Sequence, residues 1–384
     1  MYRWKMTDQI AADLARIEEL RERLDGGSMP RRWEGRLRRE LSAAATTASV
    51  TLEGIRVTIE QVIEIIAGTN PERVPAAEIE LVRGYHDAMR YVLARSDDPN
   101  FSWTAELVRT VHYHVLGATV ARGAGRYRDR EVAVMDAGSL ATRYEPPVSE
   151  ALPRLLDDLA DWLNDHADTP APVLAALVHV RIAGVHPFRD GNGRTARVLA
   201  TLAMCRAGYT RPEFTSLEEW WGRHHATYYG AFSCLGGRWN DGADVTEFVQ
   251  THVAAQRRQA EELSRRERAL GQLWRALEDL VRDDLDRPVR LASALYDALA
   301  GREVRTSVYA SLEEVTLATA NSDLRALAEM GLLVRTGAGR SVRYLGTPEL
   351  VARVAAELGI PEPDSTGGVA HAYDQMLASI GKRR

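Results

Sequence analysis

An apolar helical run, broken by a histidine and a proline and restarted after two glycines, constrains this chain more than any other stretch. Residues 173–185 read as a helix. Pro187 pushes the preceding residue out of the α region, so that helix is expected to stop at about His186. Gly191 and Gly193 flank Asn192, giving a backbone that takes unusual angles and approaches a ligand closely. From Arg194 the good helix formers resume. A glycine-rich turn opening a helix aims unpaired amides at one point, where the helix dipole favours an anion, and phosphate is the natural occupant.

The side chains around that turn agree with the backbone. Arg194 and Arg197 are three apart, so they share a helical face and reach one polyanion. Asp190 would repel phosphate unless a hard cation such as Mg²⁺ bridged the two. His186 has an ordinary pKa of about 6.5, suited to proton abstraction near neutral pH. Alone, a helix-end histidine is most often structural, Gly-x-Gly is usually a turn, and paired arginines are usually a solvated face. Together in residues 186–197 they describe one phosphate-transfer site.

Composition bounds the rest. A chain of 384 residues, 45% hydrophobic, suits two or three domains. A net charge of −5 argues against a chain that coats nucleic acid, while leaving room for a local basic patch. Cys205 and Cys234 lack metal-like spacing and fit a reducing compartment without a disulfide framework. The first residues lack an apolar signal core, and the run at 173–185 is short and interrupted by His179 and Arg181. Cytoplasmic residence without a membrane partner is the expectation.

In chain order, helices are expected at 8–24 and 33–47, through 57–95 with a turn near Gly68, and at 102–116. His112 and His114 stand at i,i+2 on different helical faces and read as core or surface histidines, not as a metal pair. Alternation at Val132 and Val134, with turn residues at 136–139, predicts a short hairpin. A helix over 151–164 precedes the central stretch, and an aromatic segment at 220–229 follows it. A helix is expected to begin within 244–248, and 254–285 reads as a charged helical connector. Helices at 291–299, 308–312 and 317–330, then two strands within 332–344, are ordered like a winged helix-turn-helix. Arg325, Arg335, Arg340 and Arg343 there offer contacts to DNA phosphates, diluted by Glu313, Glu314, Asp323 and Glu329; docking of a protein is the alternative use.

Residues 186–197, His-Pro-Phe-Arg-Asp-Gly-Asn-Gly-Arg-Thr-Ala-Arg, fill every specified position of the signature His-x-Phe-x-(Asp/Glu)-Gly-Asn-Gly-(Arg/Lys)-x-x-Arg, and the chain therefore resembles the Fic family. The resemblance implies a mainly α fold, a Fic helical bundle with a short β-hairpin flap, accompanied by the small winged helix-turn-helix domain. The expected division is an amino-terminal helical region at 1–95, a catalytic core at 96–254, a connector at 255–287, a winged helix at 288–347 and a tail at 348–384. It further implies transfer of AMP from ATP to a Ser, Thr or Tyr hydroxyl of a protein target, the chain itself included. His186 would be the base and Asp190 the Mg²⁺ ligand. Gly191, Asn192 and Gly193 would form the anion hole, while Arg194 and Arg197 would grip the β and γ phosphates. Tyr228 and Tyr229 would lie on the adenine side, and the flap would align an extended target by strand addition.

Upstream, Ser49-Val-Thr-Leu-Glu53-Gly54 resembles the family's inhibitory motif, (Ser/Thr)-x-x-x-Glu-(Gly/Asn), carried by a helix around 46–54. By that resemblance Glu53 would pair with Arg197, removing the γ-phosphate cation and adding negative charge where phosphate must sit. Retention of Arg197 argues for triphosphate binding. The competing expectations are another Fic-type transfer, removal of AMP with Glu53 aligning a water, and a DNA-binding regulator whose Fic core senses nucleotide. A homodimer is a candidate assembly.

Overall fold

The computed structural model describes residues 1–25, 34–135 and 142–382. The chain divides into two compact units, Met1–Glu262 and Leu263–Arg384.

The first unit is a helical bundle built around one hairpin of helices. Its leading helices are α1 (Asp8–Asp25), α2 (Glu34–Thr51), α3 (Ile59–Ile66), α4 (Ala76–Ser96) and α5 (Ala105–Val115). Thr58 and Gln61 close a capping box at the start of α3, and Thr104 caps α5 through the Leu107 amide. The strands β1 (Val134–Met135) and β2 (Thr142–Tyr144) pair antiparallel, Val134 opposite Tyr144. The turn expected at residues 136–139 lies outside the described residues. Then follow α6 (Leu152–Asp165), α7 (Ala171–Val185), α8 (Asn192–Arg206), three short helices α9 (Pro212–Thr215), α10 (Leu217–Arg223) and α11 (His225–Ala231), and the long α12 (Thr246–Asp279).

Every residue of α7 except Ala183 is buried, which explains why its apolar residues run round the whole helix rather than along one stripe. It packs against α8, itself buried from Arg194 to Cys205. Each fully buried Leu or Val of this pair contributes roughly 1.5–3 kcal/mol. The loop joining α7 and α8 is thereby held at both ends by the most buried helices of the unit. Against this pair lies α2, whose Ala48 faces Gly222 of α10 so closely that a Cβ on the glycine would sit 2.8 Å from the Ala48 Cβ.

Three expectations are corrected. The helix expected at 33–47 runs on to Thr51, because Val50 and Ser49 are fully buried; it takes in Ser49 and leaves Glu53 in the turn just past its end. No separate connector starts at 255: α12 is continuous from Thr246, with the Asp244 side chain accepting from the Thr246 amide at 3.0 Å, and the boundary between units falls inside it. Residues 348–384 are not a featureless tail. They contain two helices, Pro348–Glu357 and Val369–Lys382, since Leu350, Val351 and Val354, then Ala372, Met376 and Ile380, recur at helical spacing and are buried.

The second unit, after a turn of π-helix at Leu280–Asp284, contains α13 (Leu291–Leu299), α14 (Thr306–Leu312), α15 (Leu317–Glu329), the antiparallel strands β3 (Leu333–Thr336) and β4 (Arg343–Gly346), then α16 (Pro348–Glu357) and α17 (Val369–Lys382). Asp323 is buried, receiving two hydrogen bonds from Arg290 at 2.8 and 3.0 Å and one from the Tyr309 hydroxyl at 3.0 Å. It braces the unit internally and does not dilute a surface patch, as the sequence reading had it. Among the described residues no helix is long and apolar enough to cross a membrane.

Candidate functional site

The α7 helix stops where the sequence reading expected, but His186 is left-handed (φ +49°, ψ +56°) and not extended. Its amide still reaches the Ile182 carbonyl at 2.9 Å, so the residue caps the helix while turning the chain. The imidazole is partly buried, with Nδ1 3.4 Å from the Ala183 carbonyl. A carbonyl only accepts, so this contact assigns the proton to Nδ1 and leaves the lone pair on Nε2. Burial holds the His186 pKa below 6.5, and the Arg128 charge adds to it, against the Ala183 carbonyl, Glu53 and Asp190. The ring is therefore neutral at neutral pH and able to take a proton.

The loop after it is locked from within. The Asn192 side chain accepts from the Phe188 amide and donates to the Phe188 carbonyl, both at 2.9 Å. Phe188 is fully buried and stacks on His112 with ring centroids 3.6 Å apart and 5° between planes. His112 Nδ1 accepts from the Gly125 amide at 3.0 Å, so Nε2 carries the proton and donates to the Asp190 carbonyl, also at 3.0 Å. Sequence reasoning treated His112 as ordinary; only the fold brings it under a loop so distant in the chain.

Burial takes the His112 pKa down to about 4 from 6.5. A depressed histidine leaves stability whole above 6.5 and takes it away as pH falls toward about 4, by at most on the order of 3 kcal/mol. The thermal unfolding midpoint is expected to drop across that window, and less so in His112→Gln. The buried His252, pushed down to about 3, keeps part of the drop in place. An equal drop in the variant and the parent would show that His112 is not a contributor.

Gly191 takes φ +77° ahead of α8, where a Cβ-bearing residue is strained, and its amide donates to Asp190 Oδ1 at 2.6 Å. Gly193 differs from expectation: it lies within the first turn of α8 without an unusual φ, and it is needed for close approach. A Cβ there would stand 2.4 Å from Glu53 Oε1 and 3.1 Å from Arg197 Nη1. The first amides of α8, at Asn192, Gly193 and Arg194, have no carbonyl to meet within the helix, an arrangement suited to cradling an anion. Arg194 is buried, bonded to Asp190 at 2.9 Å, and its Nε and Nη1 have no hydrogen-bond partner among the described residues.

Arg197 has four acceptors around one buried guanidinium. Nε donates to Ser49 Oγ, Nη1 to the Tyr228 hydroxyl, and Nη2 to both the Ser49 carbonyl and Glu53 Oε1, each at 2.9 Å. Burial opposes its charge, yet Tyr228 and Glu53 outweigh that and raise its pKa above the usual value. Gly54 follows with φ +85° and closes the turn beyond α2.

Tyr228 is buried, with its hydroxyl on Arg197 at 2.9 Å and 3.2 Å from His179 Nε2, so it supports the cation while also lining the cleft that Glu53 and His186 line. Tyr229 is 42% exposed, donates to the Leu52 carbonyl at 2.7 Å, and receives Arg143 from the hairpin on its own carbonyl at 3.2 Å. A cleft of about 580 Å³ opens among Glu53, His186, Gly193, Tyr229, Met135 and Phe232. Its size suits a nucleotide.

Among the described residues no group of three or more carboxylates, histidines and cysteines could hold a metal ion unaided. Asp190, half exposed at the mouth of the cradle, offers one carboxylate, which suits an ion such as Mg²⁺ that completes its shell with water and substrate phosphates.

The class the fold defines is an α-helical protein in which a buried helical hairpin brings His186, the first amides of α8, Arg194 and Arg197 together beside a two-stranded hairpin, a set of groups suited to an anion such as phosphate. Residues 102–204 match the Fic/DOC family. The chain is 32% identical over 213 residues to protein adenylyltransferase Fic of Nematostella vectensis, covering 53% of this chain and 47% of that protein. It is likewise 32% identical over 205 residues to protein adenylyltransferase Fic of Drosophila melanogaster, covering 51% and 40%. It thus spans about half or less of the curated relatives it matches. Among solved structures, a Fic family protein from Desulfovibrio desulfuricans G20 shares the fold at 23% identity and TM-score 0.59, over 90% of this chain and 98% of that one. Fic-1 from C. elegans matches at 25% identity and TM-score 0.54, over 66% and 71%. The family match covers residues 102–204, the stretch that holds α5, the strand pair, α6, α7 and most of α8 with the loop between the last two.

Proposed function

We propose that the chain is a protein adenylyltransferase, transferring AMP from ATP to a Ser, Thr or Tyr hydroxyl of a protein, and that Glu53 restrains it by occupying Arg197. The observation that carries this reading is the buried Arg197 guanidinium bonded to Glu53 at the edge of the cleft that His186 also lines. The names of the relatives support the class of reaction.

In the reaction, His186 Nε2 takes the target hydroxyl proton as the oxygen attacks the α-phosphorus. A bond forms between that oxygen and phosphorus; the bond to the bridging oxygen breaks, and pyrophosphate leaves. The first amides of α8 hold the α-phosphate charge, and the unsatisfied donors of Arg194, with Arg197, hold the β and γ phosphates. Asp190 would hold Mg²⁺, whose charge offsets that of the phosphates. Tyr229 flanks the base, and the hairpin aligns an extended target, the chain itself included, by strand addition. Removal of AMP through a Glu53-aligned water is less favoured, because that carboxylate is committed to Arg197. The second unit, in this reading, is a winged-helix docking module in which Arg325 and Arg335 face the partner.

The test uses the full chain carrying Glu53→Gly, a mixture of proteins, and ATP labelled at either its α or its γ phosphorus. Label from the α position is expected on protein, and label from the γ position is not. Transfer of the γ label would replace adenylylation with phosphorylation, and transfer of neither would remove the assignment.

A further inference from the structure

One buried cation of the first unit takes no part in the phosphate grip described above. Arg128 is 2% exposed. Its Nε donates to the His186 carbonyl at 3.0 Å, Nη1 to the Arg130 carbonyl at 3.1 Å, and Nη2 to the Pro147 carbonyl. Its own amide donates to the Pro187 carbonyl at 2.9 Å. Glu131 lies 3.5 Å from Nη1 and is itself held by the Ser149 amide at 2.9 Å.

These partners come from three places. Residues 128–131 lead into β1, Pro147 follows β2, and His186 is the left-handed residue that ends α7. The carbonyl of a residue that ends a helix in this way has no partner in the helix, and Arg128 supplies one. A single guanidinium therefore fastens both legs of the hairpin to the backbone of the histidine and, through its own amide, to the next residue. Tyr144 fastens the same hairpin to α7 through the Gly184 carbonyl at 2.9 Å and Arg143 reaches the Tyr229 carbonyl, while Arg128 ties the hairpin legs to His186 itself.

We infer that Arg128 is a positioning residue: it sets the distance between the hairpin, where a target segment lies, and the base that takes the target's proton. The inference rests on the reading of His186 as that base. The charged groups facing His186 are Arg128, Glu53 and Asp190. Arg128 is the only cation of the three, so its removal is expected to raise the His186 titration midpoint; because added water around the ring would raise it too, Arg128→Lys, which keeps the charge, separates the two causes.

The experiment places Arg128→Gln and Arg128→Lys in the full chain carrying Glu53→Gly. Three quantities are read: ATP affinity by calorimetry, transfer rate at saturating ATP, and the His186 imidazole titration by NMR. With Arg128→Gln, the rate is expected to fall by about 100-fold, the loss that small misplacement of reacting groups produces, while ATP affinity is nearly unchanged and the midpoint rises. With Arg128→Lys, the midpoint stays and part of the rate returns. An unchanged rate in both variants overturns the inference. So does a parallel loss of rate and ATP affinity with the midpoint fixed. Should the Gln variant fail to fold, the Lys variant decides by the same readings. The titration needs no transfer, so a parent that transfers nothing overturns the adenylyltransferase reading, while Arg128's hold on His186 is still judged by the midpoint.

Discussion

Replacing Glu53 by glycine is expected to raise the initial rate of AMP transfer by roughly 10- to 100-fold at fixed ATP. The size follows from what the substitution removes: a hydrogen bond between two charged groups, worth roughly 1.5–3 kcal/mol, where each 1.4 kcal/mol is a factor of ten. Direction follows from what it leaves. Ser49 Oγ, the Ser49 carbonyl and the Tyr228 hydroxyl still hold Arg197, so the guanidinium keeps its orientation and does not collapse into the core. One N–H direction of Nη2 is then open to a phosphate oxygen. The carboxylate also fills the space beside Gly193, where its Oε1 would lie 2.4 Å from a Cβ, so its loss clears the floor of the cradle as well as its charge. Glu53 sits in a turn past the end of α2 and is a quarter exposed, so the change is expected to cost little stability. Glu53→Gln separates the two effects: it keeps the bulk, drops the charge, and is expected to fall between parent and glycine variant. Incorporation of label from the α position, measured as an initial rate, checks the series. A rate no higher in Glu53→Gly than in the parent would show that the contact with Arg197 is not a brake.

What could be read without coordinates is uneven, and for physical reasons. The loop from His186 to Arg197 was legible because its chemistry is local: a proline fixes its start, glycines permit its turn, and both arginines lie on one helix with it. Helix existence was legible from periodicity wherever apolar residues recur, and the hairpin from its alternation. Less accessible was everything set by packing between distant segments. His112 and Arg128 grip the loop only because α5 and the approach to β1 are folded against it, and nothing in their own neighbours marks them. Tyr228 and Tyr229 are adjacent in sequence and both line the cleft, yet the Tyr228 hydroxyl is committed to the buried Arg197 while Tyr229 is exposed and bonded to the Leu52 carbonyl, a division that packing decides and composition does not. The helices at 348–382 were missed because Gly367 and Gly368 between them draw attention to the break rather than to the buried Leu350, Val354, Met376 and Ile380 on either side.

Replacing His186 by alanine in the Glu53→Gly chain is expected to lower transfer by roughly 10²- to 10⁴-fold, the range that a positioned general base supplies. Affinity for ATP is expected to persist, because the phosphate-holding groups do not depend on the imidazole. The loop is kept in place by Asn192 on the Phe188 backbone and by His112 on the Asp190 carbonyl, and Arg197 by Ser49 and Tyr228. Alanine carries a Cβ as histidine does, and the backbone bonds of residue 186 to Ile182 and Arg128 survive, so the left-handed turn is expected to persist in the variant. The pH dependence gives a second reading. Burial, reinforced by Arg128, keeps the His186 pKa below 6.5, so the neutral, proton-accepting form predominates at neutral pH. In the Glu53→Gly parent the rate is expected to climb as pH rises through a midpoint below 6.5 and then level off. In His186→Ala the residual rate should lose that limb, since the group that titrates is gone. A variant that keeps a tenth of the parent rate, or keeps the same acid limb, would move the base elsewhere. With His112 pushed down to about 4 and bonded through both ring nitrogens, no other histidine on this loop is placed to take its part.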